Sequence, residues 1–109
     1  MILRVPKKNF KEKKPQGFTT EIENKSFHGF IVKVAGGYFA FQNRCCHLPV
    51  TLDLLDNDFL NEEGNAIQCH MHGAVYDMQT GECTAGPCIG SRLTPLKVKE
   101  EKESICIQL

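Results

Sequence analysis

Two short runs, Cys45-Cys46-His47 and Cys69-His70-Met71-His72, constrain this chain more than anything else in its 109 residues. Read as C-x-H and C-x-x-H, they offer two thiols and two imidazoles, with twenty-one residues (48 to 68) between the runs. Thiolate and imidazole together are ligands for iron–sulfur clusters and for zinc. Cys45, His47, Cys69 and His72 are therefore the candidate metal ligands, and the fold must bring two loops to one place and hold them there. Buried cysteines with incidental histidines would need four ligand-type residues to take this spacing by accident.

Two metal chemistries compete. A [2Fe–2S] rhomb has two irons, each needing two protein ligands, and in one known arrangement a pair of histidines replaces a pair of cysteines on one iron. Here each loop gives one of each, so that Cys45 and Cys69 would bind the inner iron and His47 and His72 the outer one. Structural zinc is the alternative. Its sites usually open with two cysteines two to four residues apart, followed by a similar second knuckle. The tight C-x-H run and the mixing of Cys and His in both knuckles fit the iron–sulfur pattern better.

The stretches around the ligands extend the pattern. "NRCCHLPVTLD" and "CHMHGAVYDMQTGECTAGP" resemble the two cluster loops of the Rieske family. The second matches C-x-x-H-G-x-x-[FY]-D-x-x-T-G and a Gly-Pro turn at Cys69, His72, Gly73, Tyr76, Asp77, Thr80, Gly81, Gly86 and Pro87. The resemblance covers roughly residues 27–109 and is nearest to the small single-domain Rieske proteins and ferredoxins of bacteria. It implies one [2Fe–2S] cluster per chain, ligated by Cys45, His47, Cys69 and His72. It also implies that Leu48, Pro49, Met71, Gly73, Ala74, Tyr76 and Pro87 surround the cluster and its ligands. The expected fold is all-β: an antiparallel sandwich or small barrel carrying an inserted two-loop cluster subdomain at about residues 43–90.

Departures from the family pattern are informative. Pro49 stands where a Gly is usual, and His70 where a Pro is usual. High-potential relatives brace the two loops with a disulfide, but the corresponding positions here are Val50 and Met71, so that disulfide cannot form. Ala74 replaces a serine whose hydroxyl donates to a bridging sulfide, while the tyrosine near the cysteine sulfur is matched by Tyr76. Hydrogen bonds to the sulfurs stabilise the more negative reduced state. Losing one predicts a potential toward the bottom of the roughly −150 to +300 mV range of such centres.

Four of the six cysteines are not ligands in this reading. Cys46 lies beside the site, and Cys106 in the alternating Ile105-Cys106-Ile107. Cys83 and Cys88 flank the turn that covers the cluster in the family, as small buried thiols or as a redox pair. No apolar run approaches the eighteen or so residues of a membrane span. The N-terminus shows no apolar signal core. A cytoplasmic, monomeric protein without nucleic-acid or membrane contacts is the expectation.

Net charge is zero, but residues 1–14 hold six Lys/Arg against one acid, +5, leaving −5 on the other 95. Residues 1–14 therefore read as a basic, poorly ordered arm ahead of a domain at 15–109, or as a steering patch for a redox partner. Phe27–Val34 and Tyr38–Phe41 read as strands of a hairpin turned at Ala35-Gly36-Gly37. Leu52–Leu60 reads as a turn or short helix. Ala66–Gln68, Ala74–Tyr76, Leu96–Lys99 and Ser104–Leu109 read as further strands. No substrate site is visible, and the chain ends one strand after the family pattern. The functional expectation is a non-catalytic one-electron carrier between a flavin reductase and an oxygenase-like acceptor. The alternatives are a small subunit of a larger oxidoreductase and a redox sensor using Cys83 and Cys88.

Overall fold

The computed structural model describes residues 1–45, 52, 59–69 and 73–109. Its strands are β1 (Ile2–Pro6), β2 (Gln16–Ile22), β3 (Lys25–Val34), β4 (Gly37–Gln42), β5 (Ile67–Gln68), β6 (Val75–Tyr76), β7 (Cys83–Ala85), β8 (Pro95–Glu100) and β9 (Ser104–Gln108). Among the described residues there is no α-helix, only a 3-10 turn at Lys7–Asn9. A six-stranded sheet runs in the order β1-β9-β8-β4-β3-β2, and a three-stranded sheet in the order β5-β6-β7. All strand pairs are antiparallel.

Local chemistry sets the hairpins. Val34 pairs with Gly37 across Ala35 (φ 52°) and Gly36 (φ 80°), a two-residue turn whose positive φ values match the twist of the strands. The β2–β3 turn repeats this at Glu23 and Asn24, also with positive φ. Strand β3 is apolar on both faces because it is covered on both. Phe30 and Val32 enter one core, and Ile31, between them, enters the other.

The first core joins the two sheets. It gathers Phe30, Val32 and Phe41 of the large sheet with Phe59, Ile67, Tyr76 and Met78 around the small one. Phe30 stacks on Phe59 with ring centroids 4.7 Å apart and lies 5.6 Å from Phe41. The second core lies on the opposite face of the large sheet, where Ile31, Ala40, Ile105 and Ile107 pack with Phe10.

Residues 1–14, read from their charge as an arm, are built into this second core. β1 pairs along its length with β9, from Ile2 opposite Gln108 to Pro6 opposite Ser104. Leu3 and Val5 pack on the core, Phe10 is buried edge-on to Tyr38, and Lys7 pairs with Glu100 at 2.9 Å. The alternation Leu3-x-Val5 is the strand signal that the charge count hid. The Leu52–Leu60 reading lies largely outside the described residues; its ends, Leu52 and Phe59, are fully buried.

Because Phe59 carries the stacking contact between the sheets, Phe59→Ala is expected to cost about 3–5 kcal/mol, as for a large aromatic removed from a packed core. Equilibrium denaturation checks this; a loss below about 1 kcal/mol would show that the two sheets do not depend on this contact.

Candidate metal centre

Cys45 follows β4 by three residues and is 2% exposed; Cys69 follows β5 directly and is fully buried. Both belong to the core that joins the sheets. The chain leaving β4 is held by backbone bonds from Gln42 to Thr94 and from Asn43 to His28. The buried Asn43 also accepts the Leu52 N–H on Oδ1 at 2.7 Å, tying together the two ends of the first loop. Sequence reasoning missed Asn43, for an isolated asparagine beside a turn has no motif; its place just before the first candidate ligand was the available signal.

The second loop is closed on itself. The Cys69 N–H donates to Ala74 O and the Gly73 N–H to Cys69 O, each at 2.8 Å, and Gly73 has a φ of 74°. Ala74 is fully buried. Over it lies the turn after β7. A Cβ on Gly86 would stand 2.8 Å from Ala74 Cα and 3.1 Å from Gly73 O, so only glycine allows the two backbones to meet (φ 93°). Pro87, next in that turn, is exposed.

Tyr76 is fully buried on β6, and its hydroxyl lies 3.8 Å from Cys45 Sγ. With Cys45 as a thiolate the hydroxyl is the donor. Two thiols, one facing a hydroxyl, in an apolar, water-poor core between two loops suit a soft metal group well. His47 and His72 lie outside the described residues, as do Leu48, Pro49 and Met71.

Cys83 and Cys88 are not bonded to each other in this structure. Cys83 is a buried thiol that donates to Ala85 O at 3.2 Å, whereas Cys88 is in a disulfide. Cys106, on β9, gives its S–H to Glu101 at 3.3 Å and is remote from the site in the fold. His28 pairs with Thr19 at 2.9 Å on the outside of the sheet.

Fold and site together define a small two-sheet β protein with a pair of thiols, Cys45 and Cys69, buried where the sheets join. The model of the Rieske [2Fe-2S] domain matches residues 3–100, and the chain belongs to that family. Membership implies a [2Fe–2S] cluster, which the two buried thiols fit. Among solved structures, the ferredoxin of carbazole 1,9a-dioxygenase from Nocardioides aromaticivorans IC177 is 21% identical with a TM-score of 0.71, the match covering 97% of this chain and 95% of that one. The Sphingomonas yanoikuyae B1 ferredoxin is 26% identical with a TM-score of 0.71, covering 98% and 97%. The terminal oxygenase of carbazole 1,9a-dioxygenase from Novosphingobium sp. KA1 is 21% identical with a TM-score of 0.74, and there the match covers 97% of this chain but 29% of the oxygenase chain.

Tyr76→Phe is expected to lower the midpoint potential by about 20–65 mV, the one-electron equivalent of a hydrogen bond worth about 0.5–1.5 kcal/mol. A redox titration that finds no shift would remove Tyr76 from the tuning of the site. A pH effect is expected at the far end of the small sheet. The Thr80 and Gln79 N–H groups donate to Asp77 at 2.9 and 2.8 Å and hold its carboxyl below the ordinary carboxylate range. The sign follows: this stabilisation is complete above the ordinary carboxylate pKa and is lost as pH falls through the depressed folded value. Asp77→Asn should flatten the acid side of the stability curve, read by urea unfolding across acidic pH.

Proposed function

We propose that this protein is a Rieske-type ferredoxin, a monomeric, cytoplasmic one-electron carrier between a flavin reductase and an oxygenase-like acceptor. Cys45 and Cys69 are the thiolate ligands and His47 and His72 the imidazole ligands. A bound [2Fe–2S] cluster would supply one-electron exchange. The rest falls to the chain: Cys45 and Cys69 are shielded from water in the joint core, Tyr76 faces the Cys45 sulfur, and the Gly86 turn closes over the second loop.

The observation that carries this reading is the pair of buried thiols, at the ends of β4 and β5, within a chain of the Rieske family. The acceptor is inferred from the similarity to a ferredoxin of a dioxygenase, matched over nearly the whole of both chains. A small subunit of a larger oxidoreductase is the second reading, favoured by the match to part of a terminal oxygenase chain. Exposed Ile89 (69%) and exposed Pro87 give the turn an apolar tip suited to a docking partner.

Low-temperature EPR of the dithionite-reduced protein, with iron and sulfide assayed on the same sample, tests the reading. A rhombic signal with about two irons and two sulfides per chain is expected, and it should be lost in His72→Ala. A silent sample with about one zinc would overturn it. Ala74→Ser, which restores a hydroxyl near the cluster, should raise the midpoint by about 20–65 mV.

A further inference from the structure

The six-stranded sheet ends on β1, and that edge is open. At either end of the β1–β9 ladder the Leu109 N–H donates to Met1 O and the Lys7 N–H to Glu103 O, each at 2.9 Å. In an antiparallel pair, residues that bond the neighbouring strand alternate with residues that face away from it. The odd-numbered residues of β1 therefore bond β9, and Ile2 and Arg4 turn their N–H and C=O groups outward. Among the described residues nothing bonds these two donors and two acceptors. An edge of this kind is a template for a further strand.

Charge decides which strand fits. On the outer face of the sheet, Lys97 and Lys99 line a groove with Ile2 and Gln108. At the far end of β1, Lys7, Lys8 and Lys102 line a pocket with Arg4. Of the acids here, Glu101 pairs with Arg4 at 3.2 Å and Glu100 with Lys7 at 2.9 Å, which leaves Glu103. Lys8, Lys97 and Lys102 make no ion pair with a described residue. A second copy of this edge would set like charges against each other, whereas acidic side chains would meet them favourably. The inner face has another need: Leu3 and Val5 pack on the second core but are only half-buried.

We infer that β1 takes up an extended segment of a partner protein as an additional antiparallel strand. Acidic side chains of that segment stand opposite Ile2 and Arg4, and apolar ones between them stand opposite Leu3 and Val5. Main-chain bonds give the affinity, and the alternation gives the specificity. Pro6 ends the template, since it has no N–H to offer. Two strands, β9 and β8, stand between β1 and β4, the strand that leads to Cys45, so the segment and the two thiols occupy different parts of the fold. The proposal goes beyond the carrier reading and does not depend on it.

The test is a titration of the isotope-labelled protein with a short capped peptide that alternates Val and Glu, read by its amide resonances. The Ile2 and Arg4 amides should shift most, with cross-strand proton contacts to the peptide. Methylating the Glu nitrogens, which face β1 in this register, should abolish binding; methylating the Val nitrogens, which face away, should leave it in place. A peptide with the same residues in two blocks, Val then Glu, should bind about tenfold more weakly, as should one alternating Val and Lys. Affinity should also fall about tenfold between about 0.01 and 1 M salt, as the screening length shrinks from about 30 Å to about 3 Å. In Arg4→Gln it should fall about threefold, as for one exposed ion pair, with the visible spectrum unchanged.

Equal binding of the two methylated peptides, or of the alternating and block peptides, would reduce the edge to charge attraction and overturn the inference. Shifts along β2 in place of β1, or none with any peptide at low salt, would also overturn it. A dimer of the protein alone, with the Ile2 and Arg4 amides protected from exchange, would assign the edge to a second copy instead.

Discussion

The packing of one aromatic core between two unequal sheets is the constraint on which the rest depends. Strands of two or three residues cannot form a stable sheet alone. β5, β6 and β7 are that short, and they persist because Ile67 and Tyr76 are buried with Phe59 against Phe30, Val32 and Phe41. Cys45 and Cys69 belong to the same core. A group bound by both thiols would thus be part of the joint between the sheets, and it would hold the joint closed while the joint holds the thiols.

That placement also sets the electrostatics. A buried site disfavours the extra negative charge of a reduced cluster, and donors to its sulfurs oppose this. The chain supplies Tyr76 near Cys45 and an alanine at 74. Remote charge contributes little. The basic N-terminal segment is fixed beside the end of β8, where Lys7 meets Glu100, while the chain leading to Cys45 leaves beside the start of β8, where Thr94 bonds Gln42. Six strand residues span about 17–20 Å, about twice the Debye length of roughly 8 Å in physiological salt. The +5 of the first fourteen residues is therefore poorly placed to steer a partner to the metal face.

The sequence was most legible where a backbone or a ligand demanded particular residues. The β3–β4 hairpin followed from Ala35-Gly36, the final hairpin from its alternation, and the family from the motifs around the cysteines and histidines. β1 escaped because lysines outweigh Leu3 and Val5 in any count of charge, although the strand needs only its inward face to be apolar. β2 escaped because its outward polar residues, from Gln16 to Glu21, broke the apolar run, and its turn at Glu23-Asn24 lacks the usual glycine. Asn43 and Gly86 act through contacts across the fold, with Leu52 and Ala74, and no local pattern encodes such partners. The state of Cys88 has the same origin, since proximity of cysteines is set by topology and not by spacing along the chain.

Three segments meet at the site: the chain after β4, the loop between β5 and β6, and the turn after β7. Hydrogen bonds fix the first at Asn43, close the second between Cys69 and Ala74, and hold the third at Cys88 and Ser91. The three are carried by two sheets joined mainly by apolar packing, which resists separation but is non-directional. Electron transfer is fastest where ligand positions change least between oxidation states, so the weak direction of this design is sliding of one sheet on the other.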